Sequence, residues 1–223
     1  MEERTGDELV ARVLAHPADD DFLGPAANDL LEELFAGYPV DNLLRLLRSG
    51  DDKAVRTGAW LLSELGDLAA PLAGELPALL AHPLRQVRFF AIEAALTAGT
   101  PEDGPLAARV LALSRDLDDA VRWKVLAFLA AASPEQLAAG AAASPDPELK
   151  ALTEWLVRLE SEEVDPREIV ARLEGDDRVV RMFAAAAAAR LSDEEDMNLL
   201  AHAATVEDEE IRSFALEQLD DLR

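Results

Sequence analysis

Three histidines and several carboxylate runs are the side chains here whose types could do chemistry. His16, His82 and His202 close the matching phrases VLAHP, LLAHP and LLAHA. Histidine is a metal ligand and a general acid or base near neutral pH. The carboxylates cluster as Asp19–Asp21, Glu32/Glu33, Glu162/Glu163, Asp193–Asp196, Glu207–Glu210 and Asp220/Asp221. Paired acids can share a proton or hold a divalent cation. Neither set has the spacing that chemistry requires. The histidines recur at equivalent places in units far apart along the chain, where they favour the negative end of a helix dipole. The acids fall at helix starts and turns, where caps and solvated charge belong, and none has the central Gly and closing Glu of an EF-hand. There is no phosphate-binding glycine loop, no G-x-S-x-G elbow and no serine with a neighbouring histidine. Cysteine is absent, which removes thiol nucleophiles, disulfides and Cys-based metal sites. No catalytic residue, cofactor or metal is expected, and the chain does not read as an enzyme.

The elements that carry these residues form a repeat. An acid is followed after two residues by an aliphatic, then a base, then small or apolar residues four and seven places after the aliphatic. The phrase reads Asp52, Val55, Arg56, Ala59, Leu62 and returns from Asp118, Asp146, Asp177 and Asp208. One further copy, from Val87 and Arg88, has Leu84 where the acid belongs. A degenerate first copy runs through Asp20, Leu23, Ala27 and Leu30, with Gly24 in place of the base. Positions 0, +4 and +7 share one face of a helix. Each such helix, B, follows a shorter apolar helix, A. Gly37, Gly66 and Gly99 follow B helices as left-handed C-caps, and prolines punctuate the turns. The acid three before the anchor is placed to cap helix B. The reading is all-α: about fourteen helices in seven antiparallel pairs, a single domain over 1–223 with 1–40 as a degenerate N-terminal cap. One such pair cannot bury its apolar face alone, whereas stacked pairs can.

The D-x-x-V-R phrases resemble the HEAT-repeat family, including its short bacterial members. The resemblance runs from about residue 20 to 222. It implies a right-handed α-α superhelix, the armadillo-like solenoid, and says almost nothing about function. In that family the Asp and Arg of successive repeats form a hydrogen-bonded ladder. Here that ladder would consist of Asp52, Arg56, Arg88, Asp118, Arg122, Asp146, Lys150, Asp177, Arg181, Asp208 and Arg212. Leu84 for Asp and Lys150 for Arg would weaken it locally.

The formal charge is −24, and half the residues are hydrophobic, too many for disorder. Acids exceed bases in both halves, which repels nucleic acid and anionic membrane. Relatives in the HEAT-like group excise alkylated DNA bases or attach bilins. The first activity needs a basic face, and nothing selects the second. The first residues, MEERTGDE, lack the order of a signal peptide, and no apolar run reaches a membrane span. A cytoplasmic monomer is expected, with another protein, basic in character, as partner. Acidity with only three lysines also suits a halophile's solvation. The resemblance further implies an inhibitor or immunity-type scaffold. Its concave stripe would comprise Trp60, Glu64, Phe89, Ile92, Trp123, Leu126, Glu154, Arg158 and Met182. A one-residue shift in register would instead bury that stripe in the core, to which Phe90, Phe128, Trp155 and Phe183 are assigned.

Overall fold

The computed structural model describes residues 2–16, 25–100, 103–160 and 165–222. Asp19–Asp21, Leu23, Gly24 and Glu162/Glu163 therefore lie outside the described residues. Every regular element among those described is helical. The contacts gather into two units, Met1–Gly99 and Thr100–Arg223, where the sequence reads as one domain.

The first unit holds α1 (Glu2–Ala15), α2 (Pro25–Phe35), α3 (Leu44–Leu47), α4 (Asp52–Glu64), α5 (Leu76–Leu79) and α6 (Arg85–Ala98). The 3-10 segments Val40–Leu43 and Gly66–Glu75 lead into α3 and α5. The pairs are α1/α2, α3/α4 and α5/α6, and each B helix meets the next, α2 to α4 and α4 to α6. Gly37 and Gly66 have φ of 107° and 54°, the left-handed turns expected after α2 and α4. Gly99 departs from that expectation: it caps α6 in an extended conformation, with φ −74°.

The second unit holds α7 (Gly104–Ala112), α8 (Asp119–Ala131), α9 (Pro134–Ala143), α10 (Pro147–Arg158), α11 (Pro166–Leu173), α12 (Arg178–Leu191), α13 (Asn198–Ala203) and α14 (Glu209–Asp221). Its wiring differs. The main B-helix neighbours of α8 are α12 and α14, not the next B helix, α10. α12 also meets α10, α11 and α13, so it is enclosed on all sides. Its sequence permits this. Ala184 to Ala188 are all fully buried, and small side chains let helices approach closely from several directions. Where α7 meets α9, glycine serves the same purpose: a Cβ on Gly140 would stand 2.9 Å from the Ala107 Cβ.

The repeat's anchors form the core. Val87, Val121, Leu149 and Ile211 are buried, as are the residues four and seven places on, such as Ala59, Leu62, Val125 and Phe128. Val180 is only half-buried. Phe128, Trp155 and Phe183 lie in the core as expected. Phe90 does not: it is part-exposed and packs edge-on against Phe89, with ring centroids 5.6 Å apart.

The acids start the B helices. Asp118, Asp146, Asp177 and Asp208 each accept hydrogen bonds from first-turn backbone N–H groups. In α4 the cap is Asp51, which accepts from Lys53 and Ala54 N–H. Asp52, the residue expected there, is exposed and lies 3.6 Å from His82 Nε2. At α6, where Leu84 replaces the acid, His82 Nδ1 accepts from the Leu84 N–H at 3.1 Å.

Candidate binding site

The bases of the repeat act first on their own turn. Arg88 Nη1 donates to the carbonyls of His82 and Pro83, both at 2.8 Å. Arg122 reaches Asp116 at 2.6 Å, and Arg181 reaches Gly175 and Asp176 at 2.9 and 2.8 Å. Arg212 approaches Val206 at 3.4 Å and Glu207 at 3.5 Å. The guanidinium thus ties down carbonyls five and six residues earlier, in the turn between A and B. Those carbonyls lie at or just past the negative end of the A helix, which a cation complements.

Between repeats the expected ladder is only partly present. Arg181 Nη2 bonds Asp208 at 3.0 Å, one repeat on. Burial works against the charge on Asp208, but hydrogen bonds from Arg181 and the Ile211 N–H, with the charges of Arg181 and Arg178, hold its carboxyl below the ordinary range. Arg122 bonds Glu210, three repeats on, rather than Asp146, because α8 packs beside α14. Asp146 is approached instead by Arg115, at 3.4 Å, which also bonds Glu148 at 2.5 Å. Lys150 is exposed and lies 4.0 Å from Glu154 on its own helix. The Arg56 side chain is buried.

One structural arginine lay outside the repeat. Arg190, in the last turn of α12, donates to the carbonyls of Leu129, Ala130 and Ala132 at 3.0, 3.0 and 2.8 Å and pairs with Glu160. It closes the C-terminal end of α8. The only signal in the sequence was a base ending an alanine run.

The proposed stripe divides by burial. Ile92, Leu126 and Met182 are core residues, with 0, 1 and 1% exposure, and no partner can touch them in the folded state. In the second unit the reason is the enclosure of α8 and α12 by other helices. Trp60, Phe89 and Trp123 are part-exposed, and Glu64, Glu154 and Arg158 are exposed. Trp60, Glu64 and Phe89 belong to the first unit, and Trp123, Glu154 and Arg158 to the second.

Trp123 lines an open notch of about 480 Å3 where the first turns of α8, α12 and α14 converge. Asp119, Arg178, Glu209 and Glu210 line it too. Glu210 is shared by Arg122 and Arg178, so its charge is held from both sides. Asp119 and Glu209 are exposed. Lys124 Nζ stands 5.7 Å from the Trp123 ring centroid. His82 and His202 face single carboxylates, Asp52 and Glu174, and His16 is exposed. Among the described residues no cluster of three or more His, Asp or Glu side chains is arranged to hold a metal ion. No helix among them is long and apolar enough to cross a membrane.

No protein-family model and no curated protein matches the chain. Among solved structures it is similar to an archaeal HEAT-like repeats protein from Thermococcus onnurineus NA1. That likeness is at 15% identity with a TM-score of 0.48, covering 99% of this chain and 96% of the other. It is also similar to an engineered protein at 18% identity with a TM-score of 0.45, covering 99% and 89%.

Proposed function

We propose that this protein is a non-catalytic binding scaffold that acts as a single chain on a basic protein partner, in the manner of an inhibitor or immunity protein. One observation carries the reading. Trp60, Phe89 and Trp123 remain part-exposed on B helices, in a chain whose charge is −24. Aromatic anchors with charge around them are the usual composition of a protein-binding surface. A strongly acidic surface steers a basic partner and raises its association rate.

The test is capture of partners from the native host followed by elution with rising salt. The expected result is a basic protein released between low and moderate salt, and weaker capture by Trp60→Ala and Phe89→Ala chains. Captured proteins of no particular charge, held equally at all salt concentrations, would overturn the reading.

A further inference from the structure

We propose that His82 is a proton-operated switch at the start of α6. Neutral, its ring holds the turn that begins the helix; protonated, it releases that turn and pairs with Asp52 of the preceding repeat. The inference stands apart from the scaffold reading. Helices α4, α8, α10, α12 and α14 each start on an aspartate that accepts first-turn N–H groups. In α6 the N-cap is Leu84, and no side chain accepts from the first turn. What serves instead is the imidazole. His82 Nδ1 accepts the Leu84 N–H at 3.1 Å, the bond that the reaching-back side chain makes in a capping box. Only a ring nitrogen with a lone pair can accept, which places the neutral ring's proton on Nε2. That nitrogen faces Asp52 Oδ1 at 3.6 Å.

Protonation makes both ring nitrogens donors. Nδ1 then opposes the Leu84 N–H, donor against donor, while Nε2 gains an ionic partner. The ring can turn while the chain stays in place, because Arg88 Nη1 holds the His82 and Pro83 carbonyls independently, both at 2.8 Å. The charged groups on the surrounding elements point to Asp52 as the partner. On α4, Asp51 is engaged by the Lys53 and Ala54 N–H groups, Asp52 is exposed, Lys53 is half-buried and Arg56 is buried. On α6, Arg85 is exposed, and Arg88 is committed to the turn carbonyls. Helix α5 carries no charged residue, and Glu75 before it is bonded to Arg48. His202 ends a matching phrase and supplies the contrast. Its Nε2 faces Glu174 at 3.3 Å, but the helix after it, α14, is capped by Asp208. Its protonation has no cap to remove.

The experiment follows the full chain by NMR from about pH 8 to about pH 5, the range over which histidine changes charge. It reads the histidine ring nitrogen shifts and the exchange protection of the Leu84 amide, corrected for the intrinsic effect of pH on exchange. Neutral His82 should carry its proton on Nε2. Protonation should lower Leu84 protection by about fivefold, the loss of one hydrogen bond. His82→Asn keeps an oxygen acceptor two residues before that amide and does not titrate, so its protection should stay high across the range. His82→Ala should be poorly protected throughout. Asp52→Asn should move the change to lower pH, since the imidazolium loses its partner. His202→Gln should leave the change at Leu84 intact. Circular dichroism and melting of each variant separate a lost cap from a lost fold. A neutral His82 protonated on Nδ1, or a Leu84 amide equally protected at both ends of the range, would overturn the switch. So would a change at Leu84 that persists in His82→Asn, because it would belong to another titrating group.

Discussion

The two units use the same repeat and reach different packing. In the first, B helices follow one another in chain order, α2 to α4 to α6. In the second, α12 is surrounded, and α8 reaches past α10 to touch α12 and α14. The periodic anchors are buried in both. What differs between α4 and α12 is the place five residues after the anchor, on the opposite side of the helix. In α4 that side carries Trp60, part-exposed; in α12 the equivalent residue is Ala185, fully buried. Alanine at that place lets a neighbour in, and tryptophan keeps it out. A repeat motif thus specifies pairing within a hairpin, while the residues between the motif positions decide how hairpins assemble.

If α12 is the centre of the second unit, truncating it should be the most damaging change. Phe183 is completely buried, and Phe183→Ala should cost about 3–5 kcal/mol, the sum of lost transfer energy and the cavity left behind. Phe90→Ala removes the same atoms from a part-exposed position in α6 and should cost well under half of that. Denaturant midpoints for the two variants decide the matter. Equal shifts would show that α12 is no more central than α6.

The next contrast concerns the arginines. Arg122 is buried, bonded to the Asp116 carbonyl and joined to Glu210 of α14. Arg122→Ala should cost about 1–3 kcal/mol, because it strips a charged bond from a part-buried carboxylate. Arg115 is exposed, and its pairs with Asp146 and Glu148 are surface pairs worth about 0–1 kcal/mol. A larger loss in melting temperature for Arg122→Ala supports the long-range α8–α14 contact. Equal losses would sever the comparison between the units at its most specific bond.

These arginines also mark how far the sequence was readable. The hairpins, the caps at Asp118, Asp146, Asp177 and Asp208, and the buried anchors follow from local rules, since each depends on residues within two turns. Asp51 displaced Asp52 because α4 begins one residue earlier against its anchor than the other B helices do, and a cap is sensitive to a single step. The Arg122–Glu210 bond spans 88 positions and depends on which hairpins meet, which the repeat does not encode. Arg190 belongs with it, since its acceptors lie some 60 residues away. The candidate stripe suffered for the same reason. Ile92, Leu126 and Met182 lie on the side of the helix that a lone hairpin would expose, and further helices cover it. Trp123 remained part-exposed because the first turns of α8, α12 and α14 leave the notch open.

The smallest effect separates the units by pH. Tyr38 is the only tyrosine and belongs to the first unit, so tyrosinate absorbance reports on that unit alone. Its hydroxyl donates to Asp7 at 2.9 Å, and Asp7 is also paired with Arg45 at 2.7 Å. Burial, then the bond and charge of Asp7, push the phenol from 10.0 up to about 12, with Arg45 pulling weakly the other way. A raised value in the folded state means the neutral phenol is favoured there. Its stabilisation is therefore complete below the unfolded value near 10 and is lost as pH climbs toward 12. In the second unit Asp208 has the opposite sign: its lowered value stabilises above the ordinary carboxylate range and is lost as pH falls through the folded value. Tyr38→Phe should cost about 1 kcal/mol at neutral pH and flatten the alkaline decline without touching the acid limb. Asp208→Asn should flatten the acid limb and leave the alkaline one. A tyrosinate transition centred near 10 in the folded chain would show that the phenol is neither buried nor bonded to Asp7 in solution.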